Sequence, residues 1–293
     1  MSGALMARVG HLATVMTLGV LAVAAAVADP ISGAIAPVGL ASVVPLGVAR
    51  ALGAAPVVVV VVAIAAAAAT AFASGATTKR APFFSAVAVV VAAVCGSVFF
   101  AVKNSQGFTH HGQQLLCQVL LVVGAAQLLR ALSTRVAGAD VDDGDVAAVV
   151  IAAAYVGAGV EKLIKSGGRF FVDADALVVD AIKAHLDHLA DVGGVSLSSI
   201  DDVMASLPPT LALLVSAPAL GRVIFGAGLV IELLAVALCI RHPAQVAVAG
   251  ALIAMHRGID GLMGLSFPEH EALLFIWGIV VPIARHRRRR GPS

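Results

Sequence analysis

Long, unbroken apolar runs dominate the chain, separated by short polar or proline-containing breaks. A helix that crosses a bilayer needs roughly 20 mostly apolar residues. Runs of about that length lie near 11–28, 55–74, 82–102, 113–132, 145–165, 219–240, 243–263 and 268–284. None shows the strict apolar/polar alternation of a transmembrane β-strand. The pattern predicts an all-α fold, a polytopic transmembrane helical bundle of about eight spans, with residues 1–293 forming a single domain. The stretch from Pro30 to Arg50 is apolar too, but Pro30, Pro37 and Pro45 interrupt it. Proline removes a backbone donor and clashes with the preceding turn. That stretch therefore reads as surface-lying or re-entrant, with a ninth span as the alternative.

Composition closes off the other broad classes. Hydrophobic residues make up 60% of the chain, charged ones 12%, and the mean hydropathy is +1.01. A soluble domain is about half apolar and a quarter charged, and disordered chains are poor in apolar residues. Both are excluded. Cys95, Cys117 and Cys239 each sit inside an apolar run, which suits small buried side chains better than a disulfide frame. There is no Cys/His zinc spacing, Gly-rich phosphate loop or internal repeat, so no metal site is predicted. The Ala/Val-rich stretch 57–71 reads as a lipid-facing or packing helix without chemistry.

The net charge of +2 says little, but its distribution sets an orientation. Basic residues in short flanking loops mark the cytoplasmic side. The basic tail 285–293, with Arg285, Arg287, Arg288, Arg289 and Arg290, places the C-terminus inside, in a multi-pass cell-membrane protein. It reads as a topology anchor near anionic lipid, not a nucleic-acid site. Counting back through eight spans puts the N-terminus, Lys79 and Arg80, Arg130 and Arg135, and Arg241 on the same side. The longest connection, 166–208, then falls outside, and it is rich in aspartate. Two short amphipathic helices are expected there. One lies near 174–190; the other follows Ser198, with Asp201 and Asp202 in its first turn and Pro208-Pro209 ending it. Ala26-Val27-Ala28 before Asp29 also fits signal-peptide cleavage, although an uncleaved first helix is the preferred reading.

Ionisable residues inside the spans are the candidates for function, because a charge at the bilayer centre costs at least ~2.5–3.5 kcal/mol on insertion scales. Glu161 with Lys162, Arg222, Glu232, His256 with Arg257, and Asp260 all qualify. At about 1.5 Å per residue, Lys162 and Arg222 fall near the outer ends of their spans. Glu232 falls near the midplane, and His256 and Asp260 lie in the outer half. His110 and His111 stand on the external side just before the fourth span. The convergence suits a site, although separate helix-to-helix ion pairs have the same signature. Arg222 also reads as a snorkelling interfacial residue. Arg257 and Asp260 are spaced to neutralise each other, and His256 and Asp260 to form either a structural pair or a proton relay. His185, His188 and Asp191 have metal-ligand spacing but lie on a solvated acidic helix. Glu161 and Lys165 are placed to pair at i,i+4, which leaves Lys162 free to face inward. An amine desolvated in an apolar wall loses its proton more readily, and a neutral lysine is a competent general base. A contact between Glu161 and Lys162 is the alternative.

Four stretches resemble the horizontally transferred transmembrane (HTTM) domain family, which includes the membrane domain of vitamin K-dependent gamma-carboxylase. YVGAGVEKL, from Tyr155 to Leu163, is similar to the family's aromatic-x-x-small-Gly-x-x-Lys-Leu signature. His110-His111 before Leu115-Leu116, VIELLAVAL from Val230 to Leu238, and MHRGIDGLMGLSFPE from Met255 to Glu269 follow in order. Together they cover roughly residues 80–284. The resemblance implies Lys162 as the base acting on a menaquinol or vitamin K-type hydroquinone, with oxygen and carbon dioxide as co-reactants. It implies His110 or His111 as proton partner, and a cofactor-binding wall of His256 and Glu232, to which Arg222 and Asp260 are added by position. Phe170-Phe171 stand near the place of the family's tryptophan, and Glu161 replaces the first of two lysines. The chain also ends soon after the last span, where the carboxylase continues into a large extramembranous domain. The expected function is quinol-linked chemistry of carboxylase or epoxidase type, on a peptide or small molecule at the external face. The alternative is a non-catalytic maturation or binding factor for a secreted peptide, engaged through 166–208. A solute transporter is a third, weaker fit. Membrane lipid is the expected surrounding.

Overall fold

The computed structural model describes residues 2–27, 55–73, 81–105, 112–132, 142–170, 172, 177–183, 185–186, 200–240, 242–263 and 265–289. Every regular element among them is helical. In order they are α1 (Ser2–Val27), α2 (Ala55–Ala73), α3 (Ala81–Ser105), α4 (Gly112–Leu132), α5 (Asp143–Lys165), α6 (Ile200–Ser206), α7 (Pro209–Ser216) and α8 (Pro218–Leu233). A 3-10 helix, Leu234–Cys239, continues α8. Then come α9 (Ala244–Met263), α10 (Pro268–Leu273), a π-helical stretch Leu274–Val280, and α11 (Val281–Arg289). A short helix covers 177–183 and 185–186 in the connection after α5.

Among the described residues, six helical stretches are long and apolar enough to cross a membrane. They are Val9–Ala26, Pro82–Ala101, Gln113–Leu132, Asp143–Lys165, Pro218–Cys239 and Ala244–Met263, with Val58–Ala67 a shorter apolar stretch. The fold is an all-α helical bundle with the composition of a membrane-embedded protein. Its helicity follows from its surroundings, since backbone groups in hydrocarbon have no partner outside their own segment. α2 shows how little patterning that requires. Val58, Val62 and Ala65 face the core, whereas Val60 and Ile64 are exposed on the outside of the bundle.

α1 to α4 pack as consecutive neighbours, α1 on α2, α2 on α3 and α3 on α4. Small residues permit the close crossings. A Cβ at Gly96 would meet Cys117 Sγ at 3.0 Å, and one at Gly124 would meet Val89 and Val90. α5 lies against α4, α8 and the 3-10 segment, while α9 packs on the 3-10 and π segments. Trp277, fully buried at the centre, donates its indole N–H to Thr17 Oγ1 of α1 at 2.9 Å. Thr17 itself donates to Ala13 O, one turn back.

α5 is closed at both ends by local chemistry. Asp142 caps its start, accepting from the Gly144 and Asp145 amides at 2.8 and 3.0 Å. At its end Gly167 and Gly168 take φ of 58° and 80°. Their amides return to Ile164 O and Leu163 O, the paired bonds of a Schellman motif. Lys162 is therefore held on the last regular turn of a firmly terminated helix.

Three boundaries differ from the sequence reading. Arg285 to Arg289 are helical, not a free tail, because Arg285 pairs with Asp142 and Asp145 at the start of α5. Pro208-Pro209 ends α6 but also begins α7, proline being well suited to the first helical position. α1 starts at Ser2, ahead of the apolar run, since a helix can extend beyond its lipid-facing stretch. The Pro30–Arg50 stretch and its re-entrant or ninth-span readings lie outside the described residues, as do His188 and Asp191.

Candidate functional site

α5 presents Ile151, Tyr155, Gly159 and Lys162 along one face, at the i, i+4 and i+3 spacing that stacks side chains on a helix. Lys162 Nζ lies 2.5 Å from Glu232 Oε1 of α8. The lysine side chain is 42% exposed and the glutamate 8%, so the pair stands at the mouth of the interior with its acid end inside. Sequence reasoning left two arrangements open for Lys162, a lone inward amine or a contact with Glu161. The structure has neither. Glu161 pairs with Lys165 at 2.5 Å, as their spacing predicts, and Lys162 takes a partner 70 positions away.

Two turns earlier on the same face, Tyr155 reaches α9 and α10. Its hydroxyl is 2.6 Å from His256 Nε2 and 3.4 Å from His270 Nδ1. The two imidazole centroids are 5.2 Å apart at a steep angle, and Phe267 packs against both rings. Tyr155 and His256 are buried, while His270 is half-buried. The Lys162–Glu232 pair and the Tyr155–His256–His270 cluster thus stand about two helical turns apart along α5. Nearby, Gln113 of α4 donates to Glu269 at 3.2 Å, and Arg257 pairs with Glu271 at 2.5 Å.

Glu232 Oε2 and His256 Nδ1 are buried without a protein hydrogen-bond partner, and the far ring nitrogen of His270, Nε2, is buried as well. Polar atoms sealed from water normally find a hydrogen bond. The oxygen accepts, and the His256 ring nitrogen donates when Nε2 receives the tyrosine proton.

Of the residues singled out from the sequence, Lys162 and Glu232 meet, and His256 joins Tyr155 about two turns along α5. Arg222 is exposed at the start of α8, about 15 Å along the helix from Glu232, and takes no part. Asp260 is half-buried one turn from His256, but neither His256 nor Arg257 bonds to it among the described residues. His256 turns to Tyr155 and Arg257 to Glu271, both on other helices. His110 and His111 lie outside the described residues. His185 bonds the Ser206 carbonyl at 3.2 Å, which ties the 177–186 helix to α6. No group of three metal-binding side chains occurs among the described residues.

Sequence reasoning passed over Tyr155 as a site residue, and His270 altogether. The available signals were the chain's single tyrosine in an apolar span and a histidine flanked by Glu269 and Glu271 at the head of the last helix. It also passed over a second polar cluster, at the opposite end of α5. Asp143, 3% exposed, pairs with Arg130 and accepts from Gln127 at 2.7 Å, with His11 Nδ1 3.6 Å away. This cluster joins α1, α4 and α5. No family model, curated protein or solved structure matches the chain.

Proposed function

We propose that this protein is an integral membrane enzyme of HTTM type, carrying out quinol-linked acid–base chemistry on a peptide or small molecule from the external side. One observation carries the reading. Lys162 and Glu232, which the resemblance singles out, pair across two helices, and His256, singled out likewise, bonds Tyr155 two turns away on the same face of α5.

The arrangement favours a division of labour. Lys162 holds Glu232 by its Oε1 and neutralises its charge, leaving Oε2 as the inward acceptor. The pair, and not a lone amine, is then the proton-accepting centre. His256 Nδ1 is the inward donor. A hydroquinone hydroxyl would need an acceptor and a donor of these kinds, and the group, when bound, would supply the reducing electrons. The chain's own part is to bind and orient it, exclude water with Phe267 and Leu233, and take its proton. Basic residues at Arg130, Arg285 and Arg287 support an inward C-terminus. In that orientation the Lys162 end of α5 faces outward.

The test is oxidation of menadiol under oxygen by the full-length protein in lipid nanodiscs, comparing wild type with Lys162→Ala and Glu232→Gln. General acid–base groups contribute about 10²–10⁴-fold, so each variant is expected to lose at least about 100-fold. A Lys162→Ala protein that oxidises menadiol at the wild-type rate overturns the reading. A second reading, a non-catalytic maturation or binding factor for a secreted peptide, is favoured by the pairing of Lys162, Lys165 and Arg257 with carboxylates, as in a static helix staple. It requires Lys162→Ala to keep full biological activity.

A further inference from the structure

We propose that α7 is embedded in the membrane leaflet at the end of the bundle where α5 stops and α8 starts, with its outer face against lipid acyl chains. The surface is separate from the Lys162 site and does not depend on the quinol reading.

Charge along the chain is the first ground. From Val203 to Gly221 there is no ionisable residue, and Asp202 and Arg222 bracket the stretch. It takes in the rest of α6, all of α7 and the start of α8. A helix lying on a wet surface keeps a charged or polar outer face. The exposed positions of α7 are Pro209, Thr210, Leu213 and Ser216, with no charge among them. Leu213 is 52% exposed, and Leu220, Val223 and Ile224 carry the exposed apolar surface on along α8. α8 opens a stretch, Pro218–Cys239, that is long and apolar enough to cross a membrane. Arg222 is exposed, and its long stem can carry the guanidinium to the headgroups, so it bounds the stretch without leaving a charge in hydrocarbon.

Packing sets the level of α7. Its inner residues Leu211 and Leu214 are buried in a cluster with Leu207 of the α6–α7 turn and with Val178 and Ala181 of the 177–186 helix. Phe225 of α8 and Leu262 and Met263 of α9 pack against that cluster. At a rise of about 1.5 Å per residue, Phe225 stands about 10 Å along α8 from Pro218. The layer that holds α7 therefore flanks the ends of two spanning stretches instead of standing clear of them.

Hydrogen bonding at the two breaks suits the same surroundings. A break in a helix at membrane depth is tolerated where the freed polar groups find partners inside the protein. The Leu207 amide donates to Met204 O and the Ala217 amide to Leu213 O, at 3.4 and 2.9 Å. Pro209 and Pro218 open α7 and α8, where an N–H would have no helical acceptor. The Ser206 and Ser216 hydroxyls turn back onto Val203 O and Leu213 O, at 2.7 and 2.9 Å, although Ser216 is exposed. His185 bonds the Ser206 carbonyl at 3.2 Å. Acyl chains are the occupant these features select, because the exposed large residues from Met204 to Ile224 are all aliphatic or methionine. They include none of the aromatic anchors that dominate protein–protein interfaces.

The test uses full-length protein in phosphatidylcholine nanodiscs. A nitroxide is attached at Leu213→Cys after the three native cysteines are replaced by alanine, with Val60→Cys on the outside of α2 as the reference. Collisions with oxygen, which concentrates in hydrocarbon, and with a nickel chelate, which stays in water, are read by EPR. The label at 213 is expected to match the high oxygen-to-nickel ratio at 60. A label that the nickel chelate reaches freely overturns the proposal, since α7 then faces water. A label that neither reagent reaches also overturns it, since a second copy or another protein then covers α7. Unmodified protein gives a second readout, should the cysteine replacements impair folding. Phosphatidylcholine with a photoreactive diazirine at the end of its acyl chain is expected to label residues 209–216 as well as α2, and labelling of α2 alone overturns the proposal. Menadiol oxidation plays no part in either readout, so failure of the quinol reading leaves the outcome unaffected.

Discussion

Gly159 lets the backbone of α5 come against Glu232 of α8: a Cβ at position 159 would stand 3.4 Å from Glu232 Cβ and 3.0 Å from Leu233 Cδ2. The glycine sits between Tyr155 and Lys162 on the same face, so the approach it permits places the lysine against the carboxylate. Gly159→Ala asks the branched end of the Leu233 side chain, Cγ at 3.3 Å and Cδ2 at 3.0 Å, to yield by a few tenths of an ångström, and a small change is expected. Gly159→Leu pushes the helices apart, at about 1–3 kcal/mol for an overpacked contact. A lower thermal midpoint for Leu than for Ala, measured in nanodiscs, is the expected outcome.

The Lys162–Glu232 pair separates stability from chemistry in a double-mutant cycle. Lys162→Met leaves a buried carboxylate without its cation. A fully buried pair broken this way loses about 3–5 kcal/mol; with Lys162 at 42% exposure the expected loss is smaller, about 1–3 kcal/mol. Adding Glu232→Leu removes the orphaned charge and is expected to recover most of it. Denaturant titration of the four proteins reads the coupling. Recovery of stability without recovery of menadiol oxidation is the expected pattern.

Asp143 is the acceptor around which α1, α4 and α5 meet. Asp143→Asn keeps the size but removes the charge facing Arg130, and the amide cannot accept at both oxygens as the carboxylate does. The expected cost is about 2–3 kcal/mol, in the range for a hydrogen bond to a charged group and the polar group it strands. It should exceed that of Asp145→Asn, whose side chain is 57% exposed. Equal losses in thermal unfolding would contradict a buried anchoring role for Asp143.

Trp277 is the only tryptophan, so its emission reports one contact. Thr17→Val removes the acceptor of the indole N–H and leaves that donor buried without a bond. A loss of about 1–3 kcal/mol is expected, together with a blue-shifted emission, since the indole dipole loses its polar neighbour. An unchanged spectrum would mean that the bond does not form in the bilayer.

How far the sequence was readable depends on the reach of each interaction. The eight apolar runs coincide with helical segments because apolarity and length are properties of a single stretch, and a bilayer admits few alternatives. Glu161–Lys165 was legible for the same reason, as its partners are one turn apart. Expected partners on one helix failed where another helix offered better ones. Arg257 bypasses Asp260 for Glu271, and His256 bypasses it for Tyr155. The partnership of Lys162 with Glu232 was not legible either, because the close crossing at Gly159 joins residues 70 positions apart.

The order of residues therefore settled by itself that the chain is helical and where its apolar stretches lie, since short-range geometry and the hydrocarbon environment suffice for these. Only packing decided that Lys162 meets Glu232, that Tyr155 stands between two histidines, and that Asp143 gathers groups from three helices. The physical reason is that a polar side chain in an apolar surrounding must find its partner across whichever helix crosses nearest, and the crossing depends on how small residues along several helices fit together at once.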